Sequence, residues 1–551
     1  MNYSEGILST DGIDKNFKLM VLEVVKQVED TQKALENSDP HLISQIDARD
    51  DYIDNLKSII ENKCFYSNLH HDMDKKAMDL VRSVNIISNN LERIADLAVN
   101  IVSQIDHLPG KDELCRYEYK KFFELVLSGM ELINKSLEHR DISRALKICQ
   151  SEFNLDALFA SNFNKVIADL RSGEDPQRLV TLLFILNYLE RMGDSLLNIG
   201  EAIIFAVIGE KMKIHDFEAL EDSIEAYHLE GSVADMAIES YWGTRSGCRI
   251  SRVQKKSRAE GESQVIFKEG RVAKLEKERD SINLWSEVKP GLPPKVFSFQ
   301  KNGKSASILL EFLDGLTFQQ ILMTGNSLLA NEAFSKIKAT LLEIWTATRK
   351  DKPTHPGYMK QCMDRAEDIY KVHPEFHFPR LQIGSIETAS FSELAQKAVH
   401  LEKDLNAPFS VLIHGDFNID NIIYNDEEKS IRFIDLYRSK PQDYIQDVSV
   451  FMISNFRQPV FVPKIRSRLN DILMDFYFFS RAFAEKSGDE TFHARLILGL
   501  IRSFLTSTRF ELNKEFAWEM HLRAVYLLEK FIEHRGKPWK EFRFSPSALI
   551  Y

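Results

Sequence analysis

An internal repeat in the first part of the chain constrains its fold more than any other feature of the sequence. Residues 90–101 contain the core Leu-Glu-Arg-Ile-Ala-Asp, which recurs in residues 188–199 as Leu-Glu-Arg-Met-Gly-Asp. The flanking residues have helical patterning with few glycines and prolines. Each copy indicates a three-helix unit that buries its apolar face only against the other copy. We therefore predict an all-α six-helix bundle over residues 1–213, with repeats at about 10–107 and 112–210.

Pairs of carboxylates with i, i+4 spacing stand at matching places in the two repeats. Residues four apart share one face of a helix, where two like charges repel. A well-solvated surface or a bound cation relieves that repulsion, and two copies in register favour the cation. Sites of this kind on helical bundles suit Fe, Mn, Zn or Mg ions. The pairs are Glu92 with Asp96, Glu190 with Asp194, Asp50 with Asp54, and Glu152 with Asp156.

A second strong pattern lies where two short apolar strands end in acids. An apolar run at 411–413 leads into His414 and Asp416, Asn421 precedes a second apolar run, and Asp435 ends the strand after a hairpin. One acid that orients a hydroxyl, with an amide and an acid that hold Mg²⁺, is the minimal set for phosphoryl transfer from ATP. A surface hairpin with incidental acids is the alternative, but these acids stand at strand ends.

The run from His414 to Asn421 resembles the catalytic loop of the aminoglycoside phosphotransferase and choline-kinase-like superfamily. Asp435 matches the metal-binding acid of that superfamily, and Asp447 matches its downstream structural aspartate. The resemblance implies ATP and Mg²⁺ as cofactors and a catalytic set of Asp416, His414, Asn421 and Asp435. Within this set, Asn421 and Asp435 are the implied Mg²⁺ ligands.

The same resemblance implies an α+β, protein-kinase-like domain with two lobes. We expect a sheet-rich lobe over 238–315 and a helical lobe over 316–551. Such a kinase needs a strand lysine for the α- and β-phosphates and a helix glutamate that fixes it. Lys268 ends a β-rich run, and Glu278 in the helical pattern that follows is the candidate partner, with Glu276 as the alternative.

Two further segments are candidates for contacts with the nucleotide. Gly243 and Gly247 precede a strand and would let backbone N–H groups approach phosphate, although glycines beside a strand usually mark a turn. The run 306–315 resembles the edge strand and hinge of the superfamily, which would bring Glu311 and Leu313 to the adenine. A plain core strand explains that run equally well.

The helical region resembles the PhoU family of phosphate-uptake regulators over roughly residues 10–210. The doubled Leu-Glu-Arg core carries this resemblance, with Ala95 where glycine is typical and Glu152 in place of the commoner aspartate. Neither change removes an oxygen ligand for a metal. The resemblance implies a link to phosphate signalling, with a phosphate transporter or a sensor kinase as partner.

Composition narrows the remaining possibilities. The net charge of −11 argues against a nucleic-acid-binding surface and is compatible with a cationic small substrate. The absence of a membrane-length apolar run, of a secretion signal and of paired cysteine spacing predicts a cytoplasmic protein, held at the membrane only through a partner. We interpret the acidic segment 214–237 as a helical connector. The sequence leaves homo-oligomer formation open.

These patterns predict an ATP-dependent phosphotransferase that acts on a hydroxyl of a small molecule and is regulated or localised by the PhoU-like region. The alternative is a non-enzymatic phosphate-signalling regulator with a nucleotide-binding pseudokinase domain, against which the retained site residues argue. A protein kinase is disfavoured because no Asp-Phe-Gly or Ala-Pro-Glu follows Asp435.

The acceptor is not defined by the sequence. An amino sugar, an amino alcohol, a sugar and a nucleoside are all compatible with the pattern. Four polar residues near the loop either face the acceptor or cap turns, namely Asp420, Tyr437, Arg438 and Asp443.

Overall fold

The computed structural model describes residues 13–37, 39–70, 74–108, 114–227, 233, 236–240, 248–255, 264–324, 326–377 and 380–550. The chain divides into two compact units, Met1–Glu269 and Gly270–Tyr551. The first unit thus contains strands that lie beyond the helical region, and each unit is described by itself below.

The first unit begins with the predicted helical bundle, which is confirmed. Its helices are α1 (Ile13–Asn37), α2 (Pro40–His70), α3 (Lys75–Val102), α4 (Tyr119–Met130), α5 (Ile133–His139), α6 (Ile142–Arg171) and α7 (Pro176–Ile208), with 3₁₀ turns at Ile105–His107 and Leu114–Tyr117. Because only two residues separate α4 from α5, these two short helices together take the place of one, and each repeat contributes three helical segments.

Local sequence explains where the long helices begin and end. The side chain of Asp74 accepts a hydrogen bond from the N–H of Ala77 and caps α3. Asp141 caps α6 in the same way. Helix α7 starts with Asp175 as cap and proline at its first position, and it ends at Gly209, which has a φ of 82°.

Helices α6 and α7 of the second repeat pack unusually closely. A Cβ atom at Gly200 would overlap the sulfur of Cys149, and one at Gly193 would meet the side chain of Leu155 at 2.8 Å. The glycine of the repeated core is therefore a packing requirement in this half, whereas Ala95 is accepted in the first half.

A connector helix and three strands complete the first unit. Helix α8 (Ile214–Ala226) leads to β1 (Met236–Ser240), β2 (Arg249–Lys255) and β3 (Val265–Arg271). Both neighbouring pairs are antiparallel.

The second unit alternates helices with short strands. Its helices are α9 (Val272–Val288), α10 (Phe318–Thr324), α11 (Ser327–Ala347), α12 (Tyr358–Met363), α13 (Ala366–Val372), α14 (Phe391–Glu402), α15 (Ile445–Phe456), α16 (Pro463–Lys486), α17 (Phe492–Thr508) and α18 (Lys514–Glu533), with 3₁₀ turns at Pro374–Phe376, Trp539–Glu541 and Pro546–Leu549. Its strands are β4 (Val296–Asn302), β5 (Ser305–Glu311), β6 (Leu316–Thr317), β7 (Leu381–Ile383), β8 (Ile386–Thr388), β9 (Val411–Ile413), β10 (Ile422–Asn425), β11 (Ser430–Phe433) and β12 (Lys440–Gln442).

The predicted strands around the catalytic loop are confirmed in this unit. Strand β10 lies between β6 and β11, and β9 pairs with β12. The loop between β9 and β10 is anchored by Phe417, which is fully buried, stacks on Phe451 at 5.7 Å between ring centroids, and meets the ring of Phe433 edge-on. Helix α15, which carries Phe451, is buried along its whole length. The loop therefore rests on a rigid aromatic core.

Among the described residues, no helix combines the length and the apolar character that crossing a lipid bilayer requires.

Candidate functional site

A glycine with a left-handed backbone makes the turn after β9 possible. Gly415 follows β9 directly and has a φ of 83°. A Cβ atom at this position would overlap the backbone carbonyl of Arg438. A side chain is therefore excluded by both the conformation and the space.

Asp447, at the start of α15, stabilises that turn through its side chain. Its two carboxylate oxygens accept hydrogen bonds from the N–H groups of His414 at 2.7 Å and Gly415 at 2.8 Å. Burial raises the pKa of the Asp447 carboxyl to about 7, and the two N–H donors oppose that rise. The two hydrogen bonds join the start of α15 to the end of β9.

His414 is a positioning residue in this arrangement. It is fully buried, its Nε2 donates to the carbonyl of Ile434 at 2.9 Å, and its Nδ1 accepts from the N–H of Asp416 at 3.3 Å. Burial lowers the pKa of the imidazole, so the ring is neutral. With both nitrogens engaged, His414 fixes the spacing between β9 and the end of β11.

The carboxylate of Asp416 is half-buried and firmly oriented. Oδ1 accepts a hydrogen bond from Asn418 Nδ2 at 2.8 Å, and Oδ2 lies 3.1 Å from Nη1 of Arg438. The side-chain amide of Asn421 donates to the backbone carbonyl of Asp416 at 2.9 Å. Among the described residues no donor reaches Oδ1 of Asn421, so this oxygen is available to a cation.

Asp435 adopts a conformation that costs free energy. Its φ of 62° is left-handed, which is unfavourable by about 1–2 kcal/mol for a residue with a Cβ atom. The N–H of the preceding Ile434 donates to the carbonyl of Asn421 at 3.1 Å, which ties the two predicted Mg²⁺ ligands together through the backbone. Burial raises the pKa of Tyr437, and the charges of Asp416 and Asp435 raise it further, so both carboxylates lie near this tyrosine. An amide oxygen from Asn421 and a carboxylate from Asp435 fit the donor set that Mg²⁺ takes.

The residues assigned to the nucleotide are distributed over both units. In the first unit Lys268 is buried on β3, while Gly243 and Gly247 lie outside the described residues. In the second unit Glu278 is only 1% exposed, whereas Glu276 forms a surface ion pair with Lys301. Burial favours Glu278 over Glu276 as the glutamate that needs a charged partner.

Glu311 and Leu313 lie at and just after the end of β5. The Glu311 carboxylate accepts from Arg432 Nη2 at 2.7 Å and from the N–H of Lys295 at 3.0 Å, so its side chain is committed to neighbouring strands. Leu313 is buried. Only the backbone of this segment is left for a contact with adenine.

Asp443 does not face an acceptor. It is fully buried, pairs with the equally buried Arg495, and accepts a hydrogen bond from the hydroxyl of Tyr358 at 3.1 Å. Arg495 also pairs with Asp489. Asp443 therefore belongs to a buried ionic network inside the helical part of the second unit.

The first acidic cluster of the bundle joins α2 to α3. Asp50 accepts a hydrogen bond from Gln27 at 3.2 Å, and Lys57 lies 3.1 Å from Glu92. Burial raises the pKa of Asp50 to about 6, and the charge of Asp96 contributes to the rise. One lysine thus partly offsets the negative charge of this cluster.

The second cluster, between α6 and α7, is less neutralised. Glu152 is 9% exposed, and its Oε2 is buried without a hydrogen-bond partner. Burial raises the pKa of Glu190 to about 7, with Asp194 and Asp156 contributing. An orphaned carboxylate oxygen thus stands near three further acids, but no three of these four acids place ligand atoms within 4.8 Å of one another.

A third cluster, at the connector, was missed from the sequence. One ligand atom from each of His215, Asp216 and Glu269 lies within 4.8 Å of the others, and the described residues contain no other such trio of His, Cys, Asp or Glu. Arg249 Nη1 lies 2.5 Å from Asp216, so the charge there is already balanced. The only signal in the sequence was the acidic composition of the connector.

Two family models match separate parts of the chain, one in the helical region and one in the second unit. Residues 17–105 and 119–203 match the model of the PhoU domain, and residues 325–481 match the model of the ecdysteroid kinase-like family. A PhoU homologue of the phosphate-specific transport system from Borreliella burgdorferi is 30% identical over 35% of this chain and 89% of its own length. A second such homologue, from Clostridium acetobutylicum, is 27% identical over 35% of this chain and 89% of its own length. An aminoglycoside phosphotransferase from Streptomyces rimosus aligns at 20% identity and a TM-score of 0.33, over 49% of this chain and 93% of that one.

Proposed function

The chain belongs to the PhoU family through its helical region, and from this premise we propose that it is an ATP-dependent phosphotransferase regulated by that region. The observation that carries the proposal is the oriented Asp416, held in a turn that Gly415 and Asp447 fix. Phosphoryl transfer depends on positioning and charge compensation, and this loop is built for positioning.

In the proposed reaction Asp416 orients the hydroxyl of a small molecule and accepts its proton. Asn421 Oδ1 and the Asp435 carboxylate would hold Mg²⁺, which would neutralise phosphate charge. Lys268 holds the α- and β-phosphates and Glu278 fixes the lysine, an assignment that rests on their order in the sequence.

The bundle would act on this reaction through the connector. The N–H of Ile214, the first residue of α8, donates to Glu201 of α7 at 3.2 Å, and Asp216 pairs with Arg249 of β2. Ile250, the next residue of β2, lies opposite Lys268 in the strand register. A shift of α7 on binding a metal or a partner would therefore reach the strand of Lys268, and linkage requires the reverse effect of nucleotide.

A second candidate function is a cytoplasmic phosphate-signalling regulator whose second unit binds nucleotide without transfer. The ion pair between Arg438 and Asp416 favours it, because the guanidinium occupies a carboxylate oxygen that an acceptor hydroxyl would need. In either case a phosphate transporter or a sensor kinase is the partner that we propose for the bundle.

A screen for the acceptor distinguishes the two functions. Full-length protein is incubated with ATP, Mg²⁺ and individual amino sugars, amino alcohols, sugars and nucleosides, and ADP is measured against acceptor-free controls. The phosphotransferase predicts acceptor-dependent ADP formation. ATP binding without ADP formation across all acceptors would support the non-catalytic regulator.

A further inference from the structure

Two arginines contact the Asp416 carboxylate, one directly and one through Asn418. Arg438 contacts one carboxylate oxygen of Asp416 directly. Arg457, at the end of α15, donates to Oδ1 of Asn418 at 3.0 Å, and Asn418 in turn donates to the other oxygen of Asp416. Arg438 therefore touches the Asp416 carboxylate directly, and Arg457 reaches it through the side chain of Asn418. In the proposed reaction this carboxylate meets the acceptor hydroxyl.

Arg502 of α17 brings unsatisfied donors to the same region. Its Nε and Nη2 are buried without a hydrogen-bond partner, and its guanidinium lies 5.8 Å from the ring centroid of Tyr358. No carboxylate reaches ion-pair distance of Arg502 in the part of the chain that the structure describes. Arg457, which contacts Asn418, also donates to the hydroxyl of Ser507 at 3.5 Å, so the end of α17 lies beside the residues that orient Asp416.

Arg509, one residue beyond α17, repeats this pattern. Its Nε is also buried without a partner, and the carboxylate nearest to it, that of Asp368, is 4.0 Å away. Arg365 competes for Asp368 at 3.6 Å. The charge of Asp416 also influences the pKa of Arg509, after burial and the neighbouring arginines, which lower it.

Few acceptors serve the arginine donors of this region. Among the described residues, Arg438 pairs with Asp416, Arg365 and Arg509 share Asp368, and the buried Nε and Nη2 of Arg502 have no hydrogen-bond partner. Buried guanidinium N–H groups without acceptors are unfavourable unless a ligand supplies oxygen atoms. The forked guanidinium matches a carboxylate or a phosphate in two parallel hydrogen bonds, whereas a cationic group would be repelled.

We infer that the acceptor is an anion: a small hydroxyl compound that carries a carboxylate or a phosphate monoester, bound by Arg502 and Arg509 while Asp416 meets its hydroxyl. This inference rests on the proposed function, since it names the class of compound that the same site phosphorylates. It replaces the expectation of a cationic substrate that net charge alone had allowed.

Fractionation of a bacterial small-molecule extract tests the inference. Anion-exchange, neutral and cation-exchange fractions are each incubated with full-length protein, Mg²⁺ and γ-labelled ATP, and label in small molecules is counted. We expect acceptor activity in the anionic fraction, and activity confined to the neutral or cationic fraction overturns the inference but leaves the phosphotransferase intact. Prior treatment of the active fraction with phosphatase separates the two anions, because only phosphate monoesters lose their charged group. Transfer from no fraction refutes the proposed function, and the inference falls with it.

Variants separate anion binding from a structural role of the arginines. Arg509→Gln and Arg502→Lys should raise the KM for the anionic fraction about tenfold or more while the KM for ATP stays within about twofold. Arg481→Gln, which removes an exposed arginine paired with Glu485, is the matched control and should change neither constant. If both site variants lower the melting temperature but leave the KM for the anionic fraction unchanged, the arginines are structural and the inference is wrong.

Discussion

Carboxylates of the second unit and of the bundle differ in what surrounds them. Asp447 and Asp416 each receive specific donors, from backbone N–H groups in one case and from Asn418 and Arg438 in the other. Glu152 in the bundle has a buried oxygen without any donor, and Glu190 stands beside other acids. The loop carboxylates are fixed in place by the protein, whereas the carboxylates between α6 and α7 need protons or a cation to complete them.

Loss of a Mg²⁺ ligand should have the largest effect and would mark the loop as the site of chemistry. We expect Asp435→Asn to weaken Mg·ATP binding and to lower phosphoryl transfer on the order of 10²-fold or more. Asp426→Asn, in the exposed turn after β10, is the control and should behave as wild type. Calorimetric titration and ADP release measure the two effects. Normal Mg·ATP affinity in Asp435→Asn would show that another residue holds the metal.

Gly415→Ala should break the loop without changing any carboxylate. The added methyl group would overlap the carbonyl of Arg438 at a φ of 83°, so we expect a loss of about 3 kcal/mol in free energy of unfolding, together with most activity. Gly488→Ala is the matched control, because its φ of 70° is similar but open space surrounds it, and it should lose only about 1 kcal/mol. Equal losses in urea denaturation would mean that contact with Arg438 is unimportant.

The raised pKa values of the bundle predict that acidification stabilises it when no metal is present. The pKa of Glu190 is about 7 in the folded chain and near its ordinary value of 4.5 when the chain is unfolded, so the folded state binds the extra proton between these values. Stability from this group is therefore present at low pH and lost as pH rises toward 7. With a chelator, Glu190→Gln should gain about 1 kcal/mol at pH 8, after allowance for solvent screening, and almost nothing at pH 4.5.

Added divalent metal should reverse the sign of that gain, since only the wild-type carboxylate binds a cation. Asp51→Asn on α2 changes an exposed acid outside the clusters and serves as the control. Thermal melts at both pH values, with elemental analysis of the purified protein, provide the measurement. A melting temperature that ignores metal at pH 8 would leave only a solvated acidic surface.

The smallest effect on activity is expected from a change at the connector helix α8, which joins the bundle to the strand of Lys268. Arg249→Gln removes the ion pair with Asp216 and should change the KM for ATP by roughly twofold to fivefold without abolishing transfer. Arg252→Gln is the comparison variant. It changes an arginine on the same strand whose carboxylate partner, Glu239, is 3.8 Å away and exposed. Identical constants in wild type and Arg249→Gln would argue that the connector does not transmit a signal.

The sequence predicted features that are local or repeated. The residues from His414 to Asn421 form their turn within one short segment, and the doubled core revealed the bundle. The approach of Arg502 and Arg509 to the residues around Asp416 depends on how α17 packs against α15, which no local pattern encodes. The contact of Asp216 with Glu269 likewise joins a helix to a strand far along the chain. The burial of Asp443 depends on its ion pair with Arg495. Tertiary packing therefore decides the arginine grouping, the contact of Asp216 and the burial of Asp443.

The central claim is that Asp416 performs chemistry rather than binding. Transfer of the labelled γ-phosphoryl group from ATP to the acceptor fraction, measured beside Mg·ATP affinity for wild type and Asp416→Asn, tests it most directly. We expect Asp416→Asn to bind Mg·ATP within about twofold of wild type but to transfer the phosphoryl group on the order of 10²-fold more slowly, or less. Transfer at the wild-type rate by Asp416→Asn would contradict it.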